Sequence, residues 1–233
     1  MTNLITPPRR RGVEYLDVPG VDPRLVRRSL ADVALANALF GGTRAVLLEF
    51  AAVLPELGQT ATLLDVGSGV GDIAARAREL ARTHSIDLSL VTIDMAETLA
   101  AASRARTGNA VRGNATELPF ADRSVDVVMC SQTLHHFDDA SACAVLRELD
   151  RVARVRVIIS DLRRSWLAAA GLWMASFPLG FHPVSRHDGV LSIMRGYTDD
   201  ELRRLVASSL GRTPAVRRRL GWRVTATWHP GIA

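Results

Sequence analysis

The 233-residue chain carries three glycines in alternation, Gly67, Gly69 and Gly71, directly after the apolar run Thr62-Leu63-Leu64-Asp65-Val66. Glycine lets backbone N–H groups come close to a ligand, and a glycine loop between a strand and a helix is a setting for nucleotide-like molecules. Asp94 closes a second apolar run that begins at Leu88. A carboxylate there can accept from two neighbouring sugar hydroxyls at once. His135 and His136 follow a third run, Ser124 to Cys130, and imidazoles titrate where general bases are most useful. Asp161, after a fourth run that ends at Ser160, is a further proton acceptor. Cys130 is a nucleophile by type, but it stands where a buried strand residue is expected.

These residues require a scaffold that brings strand ends together. Short β-branched runs at 63–66, 88–93, 124–130 and 155–160 alternate with amphipathic stretches at 72–83, 96–106 and 140–153. That alternation predicts a doubly wound α/β fold, with a mostly parallel, seven-stranded sheet covered by helices on both faces. Ligands then bind outside the carboxyl ends of the strands. Residues 23–54 have helical spacing broken at Gly41-Gly42, which predicts two N-terminal cap helices. Residues 215–220 and 222–228 predict an antiparallel hairpin around Gly221.

The expected organisation is one domain over 1–233. It comprises a helical cap at 1–60, a cofactor-binding core at 61–162, an apolar insert at 163–200, and a C-terminal helix and hairpin at 201–233. The apolar stretch 166–181 is shorter than the ~20 residues of a membrane-spanning helix. It is expected to pack in the core or to lie as a lid over the substrate, with peripheral membrane contact left open. Trp166, Trp173, Phe177 and Phe181 are candidate pocket aromatics, and Arg186, His187 and Arg195 are candidate partners for an acidic group. Asn37 and Gly41-Gly42 are candidate cofactor contacts from the cap.

The glycine loop departs from a dinucleotide fingerprint, because Asp72 occupies the sixth position of G-x-G-x-x-G and a carboxylate serves a pyrophosphate poorly. S-adenosylmethionine, with its ammonium and sulfonium, suits such a loop. The segment Leu64-Asp65-Val66-Gly67-Ser68-Gly69-Val70-Gly71-Asp72 resembles the first motif of class I methyltransferases, and three further segments follow in the family's order. Val91-Thr92-Ile93-Asp94-Met95 is similar to the ribose-binding strand end, with Met95 on the adenine face. Gly113-Asn114-Ala115-Thr116-Glu117-Leu118-Pro119-Phe120 is similar to the adenine-contact segment, with asparagine in place of the usual aspartate. Ser131-Gln132-Thr133-Leu134-His135-His136-Phe137 is similar to the loop after strand four in small-molecule enzymes such as the quinone C-methyltransferases. The resemblance implies S-adenosylmethionine held by Asp65, Gly67, Ser68, Gly69, Asp94, Met95, Asn114, Ala115 and Ser131, with His135 or His136 as base and no metal. One departure is the absence of a Pro-Gly-Gly turn before strand five, where Val152-Ala153-Arg154-Val155-Arg156 stands.

The expected activity is methyl transfer to oxygen or carbon of a hydrophobic small molecule such as a phenol, polyketide or quinone precursor. Two alternatives remain: a nucleic-acid methyltransferase, or a non-catalytic S-adenosylmethionine-binding protein. The net charge of +5 invites the first, yet all 29 basic residues are arginine and lie scattered, with clusters at Arg9 to Arg11, Arg163-Arg164 and Arg217 to Arg219. A chain without lysine has no catalytic lysine for ribose methylation. The loop after strand four also lacks the proline-proline-aromatic pattern of base N-methyltransferases. Only two cysteines and no apolar leader point to a reduced, cytoplasmic setting.

Overall fold

The computed structural model describes residues 6–18 and 20–231. Seven strands form one sheet: β1 (Thr60–Val66), β2 (Asp87–Asp94), β3 (Ala110–Arg112), β4 (Val125–Ser131), β5 (Ala153–Leu162), β6 (Ala215–Arg219) and β7 (Arg223–Trp228). Their spatial order is β3-β2-β1-β4-β5-β7-β6. The first five run parallel, and β7 pairs antiparallel with both β5 and β6. The doubly wound architecture and the hairpin therefore match the sequence reading. The strand that reading does not place is β3, a three-residue edge too short to show a period.

Successive strand residues face opposite sides, so each strand feeds two cores. Leu64, Val128 and Ile159 join Leu146 and Leu149 of helix α5 (Asp139–Val152) and Leu202 of α8 (Asp199–Leu210) on one face. Their neighbours Leu63, Val127 and Ile158 meet Val46 and Phe50 of α2 (Gly42–Val53) and Ala74 and Ala77 of α3 (Asp72–Thr83) on the other. Helix α4 (Glu97–Thr107) packs on β2 and β3. The chain passes from α5 at Val152 straight into β5 at Ala153, which is how the missing Pro-Gly-Gly turn is accommodated.

Helix ends carry local signals. The Asp138 carboxylate accepts from the Ser141 N–H at 2.7 Å, and Thr198 with Glu201 forms a capping box on α8. Helix α1 (Pro23–Leu39) turns at Gly41, in the left-handed region, into α2. Among the described residues, no single helix is long and apolar enough to cross a membrane.

Of the placements left open for segment 166–181, core packing is not the one observed: the segment forms helix α6 (Trp166–Ala175) and a following turn. Within the helix only the small inner residues Ala168 and Ala169 are buried, and in the turn Ser176 and Phe181, while Trp166, Leu167, Trp173, Met174 and Phe177 are exposed. It rests on α7 (Pro183–Arg195) at the edge of the molecule, because the sheet faces are already covered by α2, α3, α5 and α8.

Candidate active site

The chain turns back across the sheet between β1 and β4, and the residues singled out in the sequence converge beyond the carboxyl ends of those strands. The loop after β1 is held by β2: the Gly67 and Ser68 N–H groups donate to the Ile93 carbonyl at 2.9 and 3.2 Å. At Gly67, φ is +69° and a Cβ would lie 2.2 Å from Thr133 Oγ1. The loop is thus pressed against the segment after β4. The Asp94 carboxylate accepts from Gly69 N–H at 2.9 Å and from Ala96 N–H at 3.0 Å, tying the glycine loop to the end of β2.

A cavity of about 790 Å³ opens over this loop. Asp65, Gly67, Ser68, Gly69, Asp94, Met95, Ala115 and Ser131 all line it. Asn114 does not. Its side-chain oxygen accepts from Thr116 N–H at 3.0 Å in an exposed turn, while its neighbour Ala115 faces the cavity. Burial, then the charges of Asp72 and Asp94, push the Asp65 carboxyl up to about 8. Burial likewise raises Asp94, against the opposing hydrogen bonds from Ala96 and Gly69. Ser68 Oγ and Ser131 Oγ are buried without a hydrogen-bond partner among the described residues. Buried hydroxyls left unsatisfied beside acidic groups fit a zwitterionic ligand, whose carboxylate and ammonium would meet them.

A second cavity of about 310 Å³ adjoins the first, and Glu14, Val33, Asn37, Gln132 and His136 line both. Its walls are mainly apolar: Ala36 of α1 and Phe40 just after it, Ala168, Gly171 and Leu172 of α6, Ile193 of α7, and Trp222. The β6–β7 turn closes one end, since Gly221 lies so near the Phe40 carbonyl that a Cβ would sit 1.8 Å from its oxygen. Polar groups enter at a few points only.

His135, 3% exposed, lies in a short 3-10 turn, Leu134–His136, with its Nδ1 2.6 Å from Asp161 Oδ1. Its backbone N–H donates to the other oxygen of that carboxylate at 3.0 Å. Burial alone would raise Asp161; the charge and hydrogen bonds of His135 outweigh it and hold the carboxyl below its ordinary range. An ionised carboxylate only accepts, so Nδ1 carries a proton, and in the neutral ring the lone pair lies on Nε2. That Nε2 is buried, has no hydrogen-bond partner among the described residues, and stands 3.9 Å from Glu14 Oε1.

Glu14, His135 and His136 bring their ligand atoms within 4.8 Å of one another, a separation at which a cation could be gripped. Arg195 already offsets the Glu14 charge at 3.4 Å, however, and Ser192 Oγ donates to the same oxygen at 2.7 Å. The Glu14 charge is thus already partly offset, which weakens the grip this cluster could have on a cation.

Sequence reading missed three groups here. Glu14 comes from the N-terminal segment, far from His135 in the chain. Gln132 adopts a left-handed φ of +53°, a strained conformation for its residue type, at the junction of the cavities. Arg223 on β7 is 4% exposed and donates to Gln132 Oε1 at 2.9 Å and Asn37 Oδ1 at 3.4 Å. Burial lowers its pKa to about 10. The aromatic candidates fare differently: Trp166, Trp173 and Phe177 point away from the pocket, and Phe181 is buried outside it. Cys130 is buried, and burial raises its thiol far above the usual range, so it is no nucleophile.

The arginine clusters are largely consumed within the fold. Arg9 and Arg11 both reach Asp139 at 2.9 Å, and buried Arg164 meets Glu201 at 2.7 Å. Arg217 and Arg219 hold Glu49 at 3.2 and 2.6 Å, while Arg218 pairs with Asp199. Such paired side chains do not form a free phosphate-binding stripe.

Residues 64–159 match the family model described as Methyltransferase domain. The chain is 34% identical to the O-methyltransferase resE of Aspergillus sclerotiorum over 110 residues, 43% of this chain and 39% of that protein. It is 30% identical to demethylmenaquinone methyltransferase of Roseiflexus sp. over 186 residues, 74% of this chain and 71% of that one. The chain thus spans less than half of the first of these relatives and over two thirds of the second. Magnesium protoporphyrin IX methyltransferase from Synechocystis PCC 6803, solved with bound S-adenosylhomocysteine, superposes with a TM-score of 0.55 at 13% identity, covering 95% of this chain and 90% of that one. With the strand order, the glycine loop and the Roseiflexus relative in agreement, the chain belongs to the class I S-adenosylmethionine-dependent methyltransferases.

Proposed function

We propose that the chain methylates an oxygen or carbon of a hydrophobic small molecule whose reacting position is an ionisable hydroxyl or its conjugated carbon. The observation that carries this is the position of His135: Asp161 holds its Nδ1–H, its buried Nε2 has no hydrogen-bond partner among the described residues, and the residue lines the apolar cavity adjoining the glycine-loop cavity. Bound S-adenosylmethionine supplies an electrophilic methyl group.

The protein's part is to bind, orient and deprotonate. Asp94 would accept from the ribose of the cofactor, and Ala115 and Met95 would border its adenine. Asp65 with Ser68 and Ser131 would meet its amino-acid end. Apolar side chains of α1, α6 and α7 exclude water from the acceptor. His135 Nε2 takes the acceptor proton, and the resulting imidazolium lies between the carboxylates of Asp161 and Glu14. His136, bordering both cavities, is placed to orient the acceptor oxygen. Arg223 offers a buried cation to the developing oxyanion. The names of the two relatives, an O-methyltransferase and a demethylmenaquinone methyltransferase, support an oxygen or carbon acceptor.

The test is formation of S-adenosylhomocysteine by the purified chain with a panel of alkyl phenols and hydroquinones, in parallel with total RNA. Turnover with a phenol or quinol and none with RNA is the expected result. Turnover with RNA alone would overturn the proposal, as would failure to bind either S-adenosylmethionine or S-adenosylhomocysteine in calorimetry.

A further inference from the structure

Helix α6 has the inverse of an ordinary surface helix. Trp166, Leu167, Ala170, Trp173 and Met174 recur at intervals of one, three and four residues, so they form one stripe along a helical face, which Phe177 of the following turn extends, its ring 4.9 Å from that of Trp173. All six are exposed, the five large ones between 46% and 60%. A contiguous apolar stripe with two indoles and no charge within it is the kind of surface that marks an interaction site. The inner face of the same helix is small and lines the acceptor cavity through Ala168, Gly171 and Leu172.

Two arginines border the stripe. The Arg10 guanidinium lies 5.8 Å from the Trp166 ring centre, and that of Arg186 lies 3.7 Å from the Phe177 ring centre. Arg186 is anchored by donating to Ser176 Oγ at 2.7 Å, and neither arginine has an ion-pair partner among the described residues. Apolar and aromatic side chains framed by unpaired arginines are complementary to a bilayer whose surface is anionic. The same frame disfavours a second copy of the chain, because a two-fold contact through this stripe would set cations of one subunit close to those of the other.

We infer that the outer face of α6 seats in the interface of an anionic lipid bilayer. This places the acceptor cavity one helix diameter, ~10 Å, from the lipid. The surface stands on its own evidence; its consequence, that the acceptor is a lipid-soluble phenol or quinol entering beside α6, rests on the proposed function.

Co-sedimentation of the full chain with phosphatidylcholine vesicles, with and without phosphatidylglycerol, tests the surface. The chain is expected to sediment with the anionic vesicles, with a blue shift of tryptophan emission and loss of binding at high salt. Double substitution of Trp173→Glu and Met174→Glu is expected to weaken binding by about tenfold or more at unchanged melting temperature, since both side chains are already in water. Arg10→Glu is expected to weaken it in the same direction. The inference fails if the wild-type chain stays in the supernatant with both vesicle types, or if the folded double variant binds equally well. It also fails if ultracentrifugation shows a dimer that the double variant dissociates, which would assign the stripe to a second copy. Calorimetry with S-adenosylhomocysteine separates the two readings: vesicle binding without cofactor binding would overturn the proposed function and leave the docking surface standing.

Discussion

Asp161 grips His135 twice, with one oxygen 2.6 Å from the imidazole Nδ1 and the other 3.0 Å from the backbone nitrogen of the same residue. The double contact fixes both the ring and the chain carrying it, so the tautomer with a free Nε2 is built into the fold. In Asp161→Asn the amide can donate to Nδ1, which moves the ring proton to Nε2 and removes the base. The expected result is a fall in kcat of about a hundredfold or more, with S-adenosylhomocysteine affinity unchanged. His135→Gln should match it, and the double variant should be no worse than either single one. Additive losses would refute a coupled pair.

The same carboxyl governs acid stability. The native Asp161 pKa lies below its unfolded value near 3.8. A depressed carboxylate stabilises the fold above the unfolded value and loses that contribution as pH falls toward the native one. Wild type should therefore lose stability with falling pH below about 4 more steeply than Asp161→Asn. Identical slopes in urea titrations would count against the assignment.

Asp65 runs the other way. Its native pKa of about 8 lies above the unfolded value, so the ligand-free fold is favoured with Asp65 protonated and loses that contribution as pH rises from about 4 to about 8. A cofactor ammonium beside it would favour the carboxylate. Binding of S-adenosylmethionine at about pH 6.5 should then release a proton, seen as a binding enthalpy that depends on the ionisation enthalpy of the buffer. Asp65→Asn should abolish that dependence. Equal enthalpies for wild type in two such buffers would remove Asp65 from contact with the ammonium.

How much of this was legible depended on whether the signal was local. The glycine loop, Asp94, the four central strands and the hairpin around Gly221 each announce themselves within a few residues, because strand period and turn chemistry are short-range. The histidines were legible as candidates, but their ranking was not: Asp161 selects His135 over a distance of 26 residues. Glu14 and Arg223 had no local signal at all, since an acid before a tyrosine and an arginine in a strand are ordinary until the fold sets them on one cavity. Helix α6 misled for a related reason. Its composition is that of a core helix, and only the prior occupation of both sheet faces leaves its aromatic side without cover. Asn114 shows the limit of motif matching, because the match is one of sequence while its side chain folds back on Thr116.

The glycine loop offers a steric test. A methyl group at Gly67 would meet Thr133 Oγ1 and the adjoining carbon at 2.2 and 2.4 Å, on a backbone with φ of +69° that disfavours any L side chain. Gly67→Ala is expected to weaken cofactor binding by about tenfold or more and to lower the melting temperature. Pairing it with Thr133→Ser relieves the contact with the methyl carbon and leaves the φ penalty, so the double variant should recover only part of the loss. Full retention of affinity in Gly67→Ala would show that the loop can move away from Thr133 freely.

Arg223 tests the nature of the acceptor. Burial lowers its pKa to about 10, and its hydrogen-bond partners Gln132, Asn37 and the Phe40 carbonyl are all neutral, so its charge lacks a direct ion pair among the described residues. A buried cation in that state gains from an anionic ligand more than a solvated one does, because little water competes for it. If the acceptor presents a phenolate or enolate, Arg223→Met, which keeps most of the side-chain volume, should raise its KM by about ten- to a hundredfold, the equivalent of one charge-assisted hydrogen bond of ~1.5–3 kcal/mol. Cofactor affinity should not change, because Arg223 lines the acceptor cavity and not the glycine-loop cavity. A variant with a lower melting temperature but an unaltered KM would show instead that Arg223 serves to clamp the end of α1 against β7, and that the acceptor is neutral where it meets the sheet.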